Sequence, residues 1–527
     1  MQTVAWALCV VAVRLSGATN AGHFSADQGH AVRFGVHQVS LAGSGAVTNP
    51  FDTRATVTFT PPSGAASAKA VQMFYDGAEV WRARVYVTET GTWHWVSASA
   101  GDALLSGRSG SFIAQASPLR GMLKKHPDNP RALMTDDGCG FLNIADTAYY
   151  LFEADATPWQ KYAADNWRQG VTLMRCSLLG ALRKGERFFD GSPDLLNLAN
   201  FQRSDARLRW LLDNYPGLYV ELILFAEPNT GYNKDETFWA GLSAARRERL
   251  LRNLVARYGA FPQVVWEIVN DYAYGPRFPN NMAMAHEVGA YLARNDPWRH
   301  LVTTGPIRGG AFCFTDAGWA TLCHLETLDA LDADQTADYA ANALHVFCGE
   351  DRYETYKPPA HPDCYFRRLM WAWLLSGGSA CYGGDWDAVV SYSESGLHGL
   401  DGVRHIKPFF ETRNLDIARY VPDDALAVDP DGKAGAGRPQ LARCGTSSYL
   451  LYLPNADGDG QVANVHTGVT ARVRVDLSRA SGTYVAEWLR SRDGASQDGG
   501  KVSGGAWREF TAPWQGEDVV LRLTAAP

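Results

Sequence analysis

After its first residues, the 527-residue chain has no apolar run of the length that a membrane-spanning helix needs, about 20 residues. Its nine cysteines and 13 histidines show neither a Cys-x-x-Cys pair nor the Cys/His spacing of a zinc site. It also lacks a large excess of one charge: the formal net charge is −7, which argues against nucleic acid or an anionic membrane as partner. The sequence therefore gives no reason to expect a metal ion or a cofactor.

The only long apolar stretch is at the N-terminus. The segment MQTVAWALCVVAV is apolar up to Val13, and small and polar residues follow it up to Ala21. This order predicts a secretory signal peptide in residues 1–21, and hence a secreted or periplasmic protein. The apolar part is too short for a membrane anchor.

The eight cysteines that follow this segment form two groups. Four lie within predicted strands, where buried free thiols are expected: Cys176, Cys323, Cys348 and Cys381. The other four lie in loops or near element ends and could form disulfides, although the sequence does not show which would pair: Cys139, Cys313, Cys364 and Cys444.

Residues 28–117 and 421–527 are each predicted to form a β-sandwich. Short segments of alternating apolar and polar residues, such as RATVTFT and ARVRVDL, are separated by glycine, proline and aspartate. We expect the first sandwich to be immunoglobulin-like.

One segment of the second sandwich looks like the start of a calcium loop. It has Asn455, Asp457, Asp459 and Gly460 at the first, third, fifth and sixth loop positions. The twelfth position, which should be glutamate, is His466, so a plain turn is favoured.

Between the sandwiches, residues 118–420 alternate between apolar strands and helices. The strand segments are FLNIADT, GVTLMRCS, LYVELILF, QVVWEIVND, HLVTT, WATLCHLE, ALHVFCGE and GGSACYGGDW. Helical patterns separate most of them, as in residues 240–259. Eight buried strands alternating with helices over roughly 300 residues is the count of a (β/α)8 TIM barrel.

Two of the predicted strands stop abruptly at a carboxylate, the fourth at Asp271 and the seventh at Glu350. Catalytic groups of such barrels lie at the C-terminal ends of the strands. Two carboxylates on one rim are the minimum equipment for cleaving a glycosidic bond. Either residue alone could instead cap a helix or form a surface salt bridge. Their matching positions favour catalysis.

Side-chain alternation predicts the direction of both carboxylates. Glu267 and Asp271 share one side of the fourth strand, and Val346, Cys348 and Glu350 share one side of the seventh. We therefore predict that Asp271 and Glu350 both point into the barrel mouth. Glu267 is expected two layers deeper, as a buried partner.

Further residues at or near predicted strand ends are candidates for binding the substrate. They are Asp146, Arg175, Asn270, His324, Tyr353, Asp385 and Trp386. Carboxylates and amides in these positions can bind sugar hydroxyls, and the ring of Trp386 can stack on a sugar face. The alternative for each is a structural hydrogen bond beneath the site.

Several segments are similar to those of one enzyme family. FLNIADTAYYLF resembles the first-strand motif of apiosidase-like glycoside hydrolase barrels, VVWEIVNDY their fourth-strand motif, and CGEDRYE with RRLMWAWLLSGGSACYGGDW their last two strands. The segment FYDGAEVWRARVYVTETGTWHW resembles a sandwich domain of unknown function often found ahead of such barrels. The last β-region is similar to a domain type named for collagen binding.

The resemblance implies that Asp271 is the acid/base and Glu350 the nucleophile of a retaining enzyme. Three positions depart from the usual motifs. Ala145 and Tyr149 replace the first and last residues of Gly-Asp-Thr-Ala-Trp, and Asp271 stands where most related barrels have glutamate. Apiosidase-like members also use aspartate there.

The sequence thus predicts a glycoside hydrolase that cleaves a plant or algal polysaccharide or oligosaccharide. The alternative is a non-catalytic surface protein that binds carbohydrate or matrix through its β-domains. Against this alternative, a spacer barrel has no reason to keep inward carboxylates on two strands, since their desolvation is costly.

Overall fold

A computed structural model describes residues 22–153, 158–178, 188–226, 236–385, 389–457, 464–465 and 469–526. The signal-peptide prediction, Trp386 and most of the calcium-like segment therefore lie outside the described residues. In the part of the chain that is described, no helix is long and apolar enough to cross a membrane.

The centre of the molecule is an eight-stranded parallel barrel, as predicted. Its strands are β1 (Ile144–Thr147), β2 (Leu173–Ser177), β3 (Tyr219–Ala226), β4 (Val264–Asn270), β5 (Val302–Thr303), β6 (Leu322–Glu326), β7 (His345–Glu350) and β8 (Gly378–Tyr382). They follow the order β5-β4-β3-β2-β1-β8-β7-β6 in the sheet. Between β5 and β6 the barrel closes through hydrogen bonds of Val302 with Thr321. The Thr321 amide donates to the Val302 carbonyl at 2.9 Å, and the Val302 amide donates to the Thr321 hydroxyl at 2.7 Å.

Helices surround the barrel. They are α1 (Trp159–Arg168), α2 (Leu198–Asn214), α3 (Glu236–Gly241), α4 (Ala244–Tyr258), α5 (Pro279–Asn295), α6 (Gln335–Asp338), α7 (Pro362–Leu375), α8 (Tyr392–Ser395) and α9 (Ile406–Thr412). The helix α4 shows why such segments fold. The Ser243 hydroxyl accepts a hydrogen bond from the Arg246 amide and caps its first turn, while Leu250, Leu251 and Leu254 bury one face.

Short 3₁₀ turns and hairpins connect these elements. The turns are Pro50–Asp52, Ala65–Ser67, Ala103–Leu105, Tyr149–Phe152, Ala340–Asn342, Val403–His405, Ile417–Arg419, Asp424–Leu426 and Gly435–Gly437. The two-stranded hairpins are Leu123–Lys125 with Leu133–Thr135, Phe189–Asp190 with Ser192–Leu196, and Ala456–Asp457 with Asn464–Val465.

The barrel interior is layered. Its lower end is apolar: Leu173, Tyr219 and Phe347 pack together there with Leu123 and Leu133 of the first hairpin, which closes this end. Charged side chains occupy the layers above it, as the next subsection describes. The lower layer therefore serves as a hydrophobic floor beneath a polar mouth.

The predicted alternation along β7 is wrong. Val346 and Cys348 pack in the cluster shared with the surrounding helices, whereas Phe347 lies in the interior cluster. A shift in the β6–β7 pairing, with Gly349 as the extra residue, nevertheless brings Glu350 opposite Glu326. Gly349 is needed there because a Cβ atom would overlap the ring of His324.

The N-terminal region is built from two sheets. In spatial order, one contains Phe24–Ala26, Val36–Ala42, Val80–Tyr86 and Phe74–Tyr75, and the other contains His30–Val32, Ser109–Gln115, Gly91–Ser99, Ala55–Thr60 and Lys69–Gln72. Side chains from both sheets, including Val57, Trp81 and Trp93, are buried in one core. The expected sandwich is therefore present.

The C-terminal region also has two sheets. The larger contains Val421–Pro422, Gln440–Cys444, Ser448–Leu453, Val519–Ala525, Thr483–Arg490 and Ser496–Ser503, and the smaller contains Ala427–Val428, Thr470–Asp476 and Trp507–Gln515. Leu451, Val473 and Leu521 lie in the core between them. This arrangement confirms the second predicted sandwich.

The structure shows the burial and the pairing state of the described cysteines. Those in barrel strands are buried, as expected: Cys176, Cys323, Cys348 and Cys381. The thiols of Cys313, Cys364 and Cys444 do not form disulfides.

A buried ion pair joins the C-terminal sandwich to the barrel. The Arg367 guanidinium of α7 donates to both oxygens of Asp518 at 2.9 and 2.7 Å, and the Tyr452 hydroxyl donates to the same carboxylate at 2.8 Å. Trp371 of α7 stacks on Tyr452 with 6.2 Å between ring centroids. The sandwich is thus docked against α7 by both charge and apolar contact.

We predict that Asp518→Asn destabilises the protein by about 3–5 kcal/mol, because it leaves the Arg367 charge buried without a counter-ion. Arg413→Gln is the control. It breaks the pair between Arg413 and Glu487, which is partly exposed, and should cost about 1 kcal/mol or less. Urea unfolding followed by tryptophan fluorescence measures both changes. Equal small losses would show that the Asp518 pair does not hold this contact.

Candidate active site

The two predicted catalytic carboxylates lie at the C-terminal end of the barrel, on strands that β5 and β6 separate. Glu350 is the last residue of β7, and Asp271 directly follows β4. Asp271 is half-buried and has a φ of +56°, a left-handed conformation that aspartate tolerates better than most residues. Burial raises the pKa of Glu350, and the nearby charge of Asp271 raises it further. The two carboxylates therefore act on each other across the mouth.

Three donors surround the Glu350 carboxylate. Arg308, from the loop after β5, donates from Nη2 to Oε1 at 2.6 Å. The Tyr149 hydroxyl donates to Oε2, and Arg175 Nη1 lies 3.5 Å from the same oxygen. These contacts oppose the effect of burial on the pKa of Glu350, since they favour its ionised form.

Arg175, on β2, connects the mouth to the interior. Its guanidinium is fully buried and donates from Nε and Nη2 to the two oxygens of Glu267 at 2.7 and 2.6 Å. Nη1 donates to the Tyr149 hydroxyl at 2.9 Å, and Nη2 also donates to Oδ1 of Asn270. Burial lowers the pKa of Arg175, but the charge and hydrogen bonds of Glu267 together with other neighbouring groups outweigh it, and the pKa is raised. Glu267 is thus a buried partner, as its position in the strand predicted.

A third carboxylate, Glu326, lies beside the pair at the end of β6. It is fully buried, and its side chain lies within hydrogen-bonding reach of Asp271. Burial raises the pKa of Glu326 well above the usual range, and the charges of Asp271 and Glu350 raise it further. These surroundings favour the neutral form of Glu326.

Beneath the mouth, His324 and Glu221 form a second buried contact. His324 Nδ1 is 3.3 Å from Glu221 Oε1. Burial and the charge of Arg175 lower the pKa of His324 well below its usual value, while burial and the charge of Glu267 raise that of Glu221. For both side chains these surroundings favour the neutral form.

The interior groups could be considered as metal ligands. Among the described residues, Glu221, Glu267 and His324 offer ligand atoms within 4.8 Å of one another. However, Arg175 already donates to both oxygens of Glu267 and supplies the positive charge at this place. We therefore assign no metal to this cluster.

The structure places the predicted substrate contacts in different surroundings. Arg175 and Asn270 lie at the mouth, and Tyr353 is buried close enough for the charge of Glu350 to raise its pKa, although burial is the larger cause. His324 lies one layer below them. Asp385 follows β8 and is half-buried.

Asp146 does not lie at the barrel mouth with the other predicted substrate contacts. Its neighbours on β1 face the interior, since Ala145 lies in the floor cluster and Thr147 donates to the Gly349 carbonyl. Asp146 itself points outward to α1, where it accepts hydrogen bonds from Tyr162 and from Asn166, the latter at 2.6 Å. This position favours the structural alternative for Asp146 over contact with a substrate.

The sequence reasoning missed Tyr149, Arg308 and Glu326. Glu326 carries the same signal as the two predicted carboxylates, because WATLCHLE is an apolar run that ends at an acid. Tyr149 is the aromatic residue of the first-strand motif. Arg308 follows the short fifth strand without any pattern that distinguishes it from other loop arginines.

The comparisons with known proteins agree with this fold. Residues 127–394, 268 of the 527 residues, match the family model of the apiosidase-like catalytic domain, and residues 30–100 match a domain of unknown function, DUF5060. The chain belongs to the apiosidase-like family and is a glycoside hydrolase. No curated protein matches it.

Solved structures share the architecture. A protein of Bacteroides vulgatus ATCC 8482 assigned as a glycoside hydrolase has a TM-score of 0.72 and 18% identity, covering 95% of this chain and 100% of its own. A glycoside hydrolase of family 5 from the same organism has a TM-score of 0.61 and 16% identity, covering 77% of this chain and 93% of its own. At these identities the likeness shows the fold alone.

The surroundings of Asp146 predict a pH effect on stability. Burial raises its pKa from 3.8 to about 6, so the folded state binds the proton more tightly than the unfolded state does. Stability from this group is complete below pH 3.8 and is lost as the pH rises to about 6, a change of about 3 kcal/mol. Asp146→Asn should remove this dependence. The stability of the variant, measured relative to the wild type at the same pH, should therefore be higher at pH 7 than at pH 4.

Asp165→Asn on α1 is the control, since serine and lysine donors lower the pKa of Asp165 to about 2 although burial opposes them. This variant should lose stability at pH 7. Thermal unfolding of both variants and the wild type from pH 4 to pH 8 gives the comparison. A parallel pH dependence of Asp146→Asn and wild type would contradict the prediction.

Proposed function

We propose that the protein is a retaining glycosidase in which Asp271 is the acid/base and Glu350 the nucleophile, and that it acts on a plant or algal polysaccharide or oligosaccharide. The main support is the position of these carboxylates at the ends of β4 and β7, on the same rim of the barrel. The export predicted from residues 1–21 fits a substrate outside the cell.

In the first step, an oxygen of Glu350 attacks the anomeric carbon and forms a glycosyl ester. The bond to the leaving oxygen breaks, and Asp271 donates its proton to that oxygen. In the second step, water attacks the anomeric carbon while Asp271 takes its proton, and Glu350 departs as a carboxylate. Each residue is thereby restored.

The surrounding donors have a defined role in both steps. Tyr149 and Arg308 hold the two oxygens of Glu350, so the carboxylate is oriented before attack and its charge is stabilised when it departs. The raised pKa of Glu326 favours its neutral form beside the pair. Asn270, next to the acid and fixed by Arg175, is positioned to contact a sugar hydroxyl.

Removing either carboxylate should abolish most of the activity. Asp271→Asn is expected to lose about 10²- to 10⁴-fold in kcat/KM on an oligosaccharide, because it cannot protonate the leaving oxygen. On an aryl glycoside with an acidic phenol as leaving group the loss should be much smaller, since that group departs without a proton. Glu350→Gln should lose activity on both substrates, because no nucleophile remains.

Glu394→Gln, a change of the same kind at an exposed carboxylate, is the control. Proton NMR of the first product tests retention of the anomeric configuration. A folded Glu350→Gln protein with near-normal turnover, or an inverted product, would overturn the assignment of roles.

The charge of Arg308, beside Glu350, should determine the pH at which kcat/KM falls on the acid side of the pH profile. Activity requires ionised Glu350, so it is lost as the pH falls through the pKa of this residue. Arg308→Gln removes a favourable charge and should raise that pKa further, moving the acid limb of kcat/KM to higher pH by about one unit or more. Arg308→Lys keeps the charge and should move the limb less. An unchanged acid limb in folded Arg308→Gln would contradict this role.

A further inference from the structure

A second cavity lies away from the barrel mouth, between the N-terminal sandwich and helices α4 and α5. This seam cleft has a volume of about 260 Å³. Its lining includes Arg54, Glu248, Arg252, Tyr291, Arg294 and Trp298. The last three belong to the end of α5 and the turn that leads to β5, so the cleft lies toward the floor end of the barrel. It cannot be part of the proposed catalytic site.

The charged groups of the seam cleft are mostly positive. Arg54 donates to Glu248 at 3.0 Å, and Arg252 Nη1 is 3.8 Å from the same carboxylate. Arg294 is exposed and has no ion-pair partner among the described residues. One carboxylate thus faces three guanidinium groups, which leaves two positive charges in excess. The buried Arg84 also borders the cleft but is paired with Asp205.

Arg252 lines the cleft with a mostly buried guanidinium group. Its side chain is 8% exposed. Nη2 donates to the carbonyl of Phe51, whereas Nη1 is buried and has no hydrogen-bond partner in the described part of the chain. A buried N–H group without a partner costs about 1–3 kcal/mol. A small rotation of the guanidinium toward the cleft would let an anionic oxygen bound there accept a charge-assisted hydrogen bond from Nη1.

The uncharged residues that line the cleft indicate which kind of molecule bears the anionic group. Tyr291 and Trp298 are half-buried and offer ring surface beside the arginines. Aromatic rings pack against the apolar faces of sugars, whereas a free phosphate gains nothing from them. The neighbouring Gln72 and Asn295 add neutral groups that can bind hydroxyls.

We propose that the seam cleft binds a uronic acid unit of an acidic polysaccharide, as a non-catalytic site that holds the polymer on the enzyme. The carboxylate lies against Arg252 and Arg294, and the sugar ring packs on Trp298 or Tyr291. The choice of a sugar rests on the membership of the chain in a glycosidase family and does not depend on the roles proposed for Asp271 and Glu350.

The test is affinity electrophoresis of the full chain in gels that contain polygalacturonate, with neutral galactan as the uncharged comparison. Wild type should be retarded by polygalacturonate only. Arg252→Gln should weaken the apparent affinity at least tenfold. The double variant Arg54→Gln/Arg294→Gln changes only exposed groups and should weaken it as much, because it also frees the charge of Glu248. Arg472→Gln, which removes an exposed arginine of the C-terminal sandwich, should have no effect.

Competition and activity measurements complete the test. Free galacturonate should displace the polymer, whereas inorganic phosphate at equal concentration and ionic strength should not. Displacement by phosphate to the same degree would overturn the choice of a sugar, and equal retardation of wild type and the arginine variants would overturn the site. Turnover of a small aryl glycoside should be unchanged in these variants. A failure of binding would therefore be distinguishable from a failure of the catalytic assignment.

Discussion

The buried guanidinium of Arg175 is the interaction on which the barrel mouth depends. Below it, Glu267 accepts two hydrogen bonds, and above it Tyr149 and Asn270 are fixed by the same group. A buried carboxylate without this partner would be strongly destabilising. With it, one cation opposes the rise that burial causes in the pKa of Glu267, and it holds the donors around Glu350. The polar interior is therefore a single network, and its parts cannot be exchanged independently.

Both proposed catalytic carboxylates owe their direction to irregular backbone. Glu350 points inward because Gly349 is an extra residue in the β6–β7 pairing, and Asp271 turns away from β4 in a left-handed conformation. The left-handed conformation of Asp271 costs of order 1–3 kcal/mol and persists because the surrounding structure enforces it. Here the close contact of Gly349 with His324, and the hydrogen bond from the Tyr272 amide to the Gly305 carbonyl at 3.1 Å, enforce the two irregularities.

The sequence predicts the barrel well because buried parallel strands are mostly apolar, as in residues 218–225 and 264–269, each of which contains a single glutamate. It places Asp271 and Glu350 at strand ends for the same reason. It fails at the Gly349 bulge, since alternation assumes regular pairing. It also wrongly suggests that Asp146 contacts the substrate. The motif around this residue does not reveal that α1 supplies Tyr162 and Asn166 as hydrogen-bond donors. Contacts between segments far apart in the chain, such as that of Arg308 with Glu350, depend on tertiary structure that no local pattern encodes.

The pairing of Arg367 with Asp518 has a consequence for synthesis of the protein. The two residues are 151 positions apart, so the ribosome completes α7 long before the partner of its buried charge exists. At about 5–20 residues per second, the delay is roughly 8–30 s. During that time the growing barrel must keep Arg367 hydrated and leave the surface of Trp371 uncovered. The nascent chain therefore passes through a stage in which a nearly complete barrel displays an apolar face that chaperones can recognise.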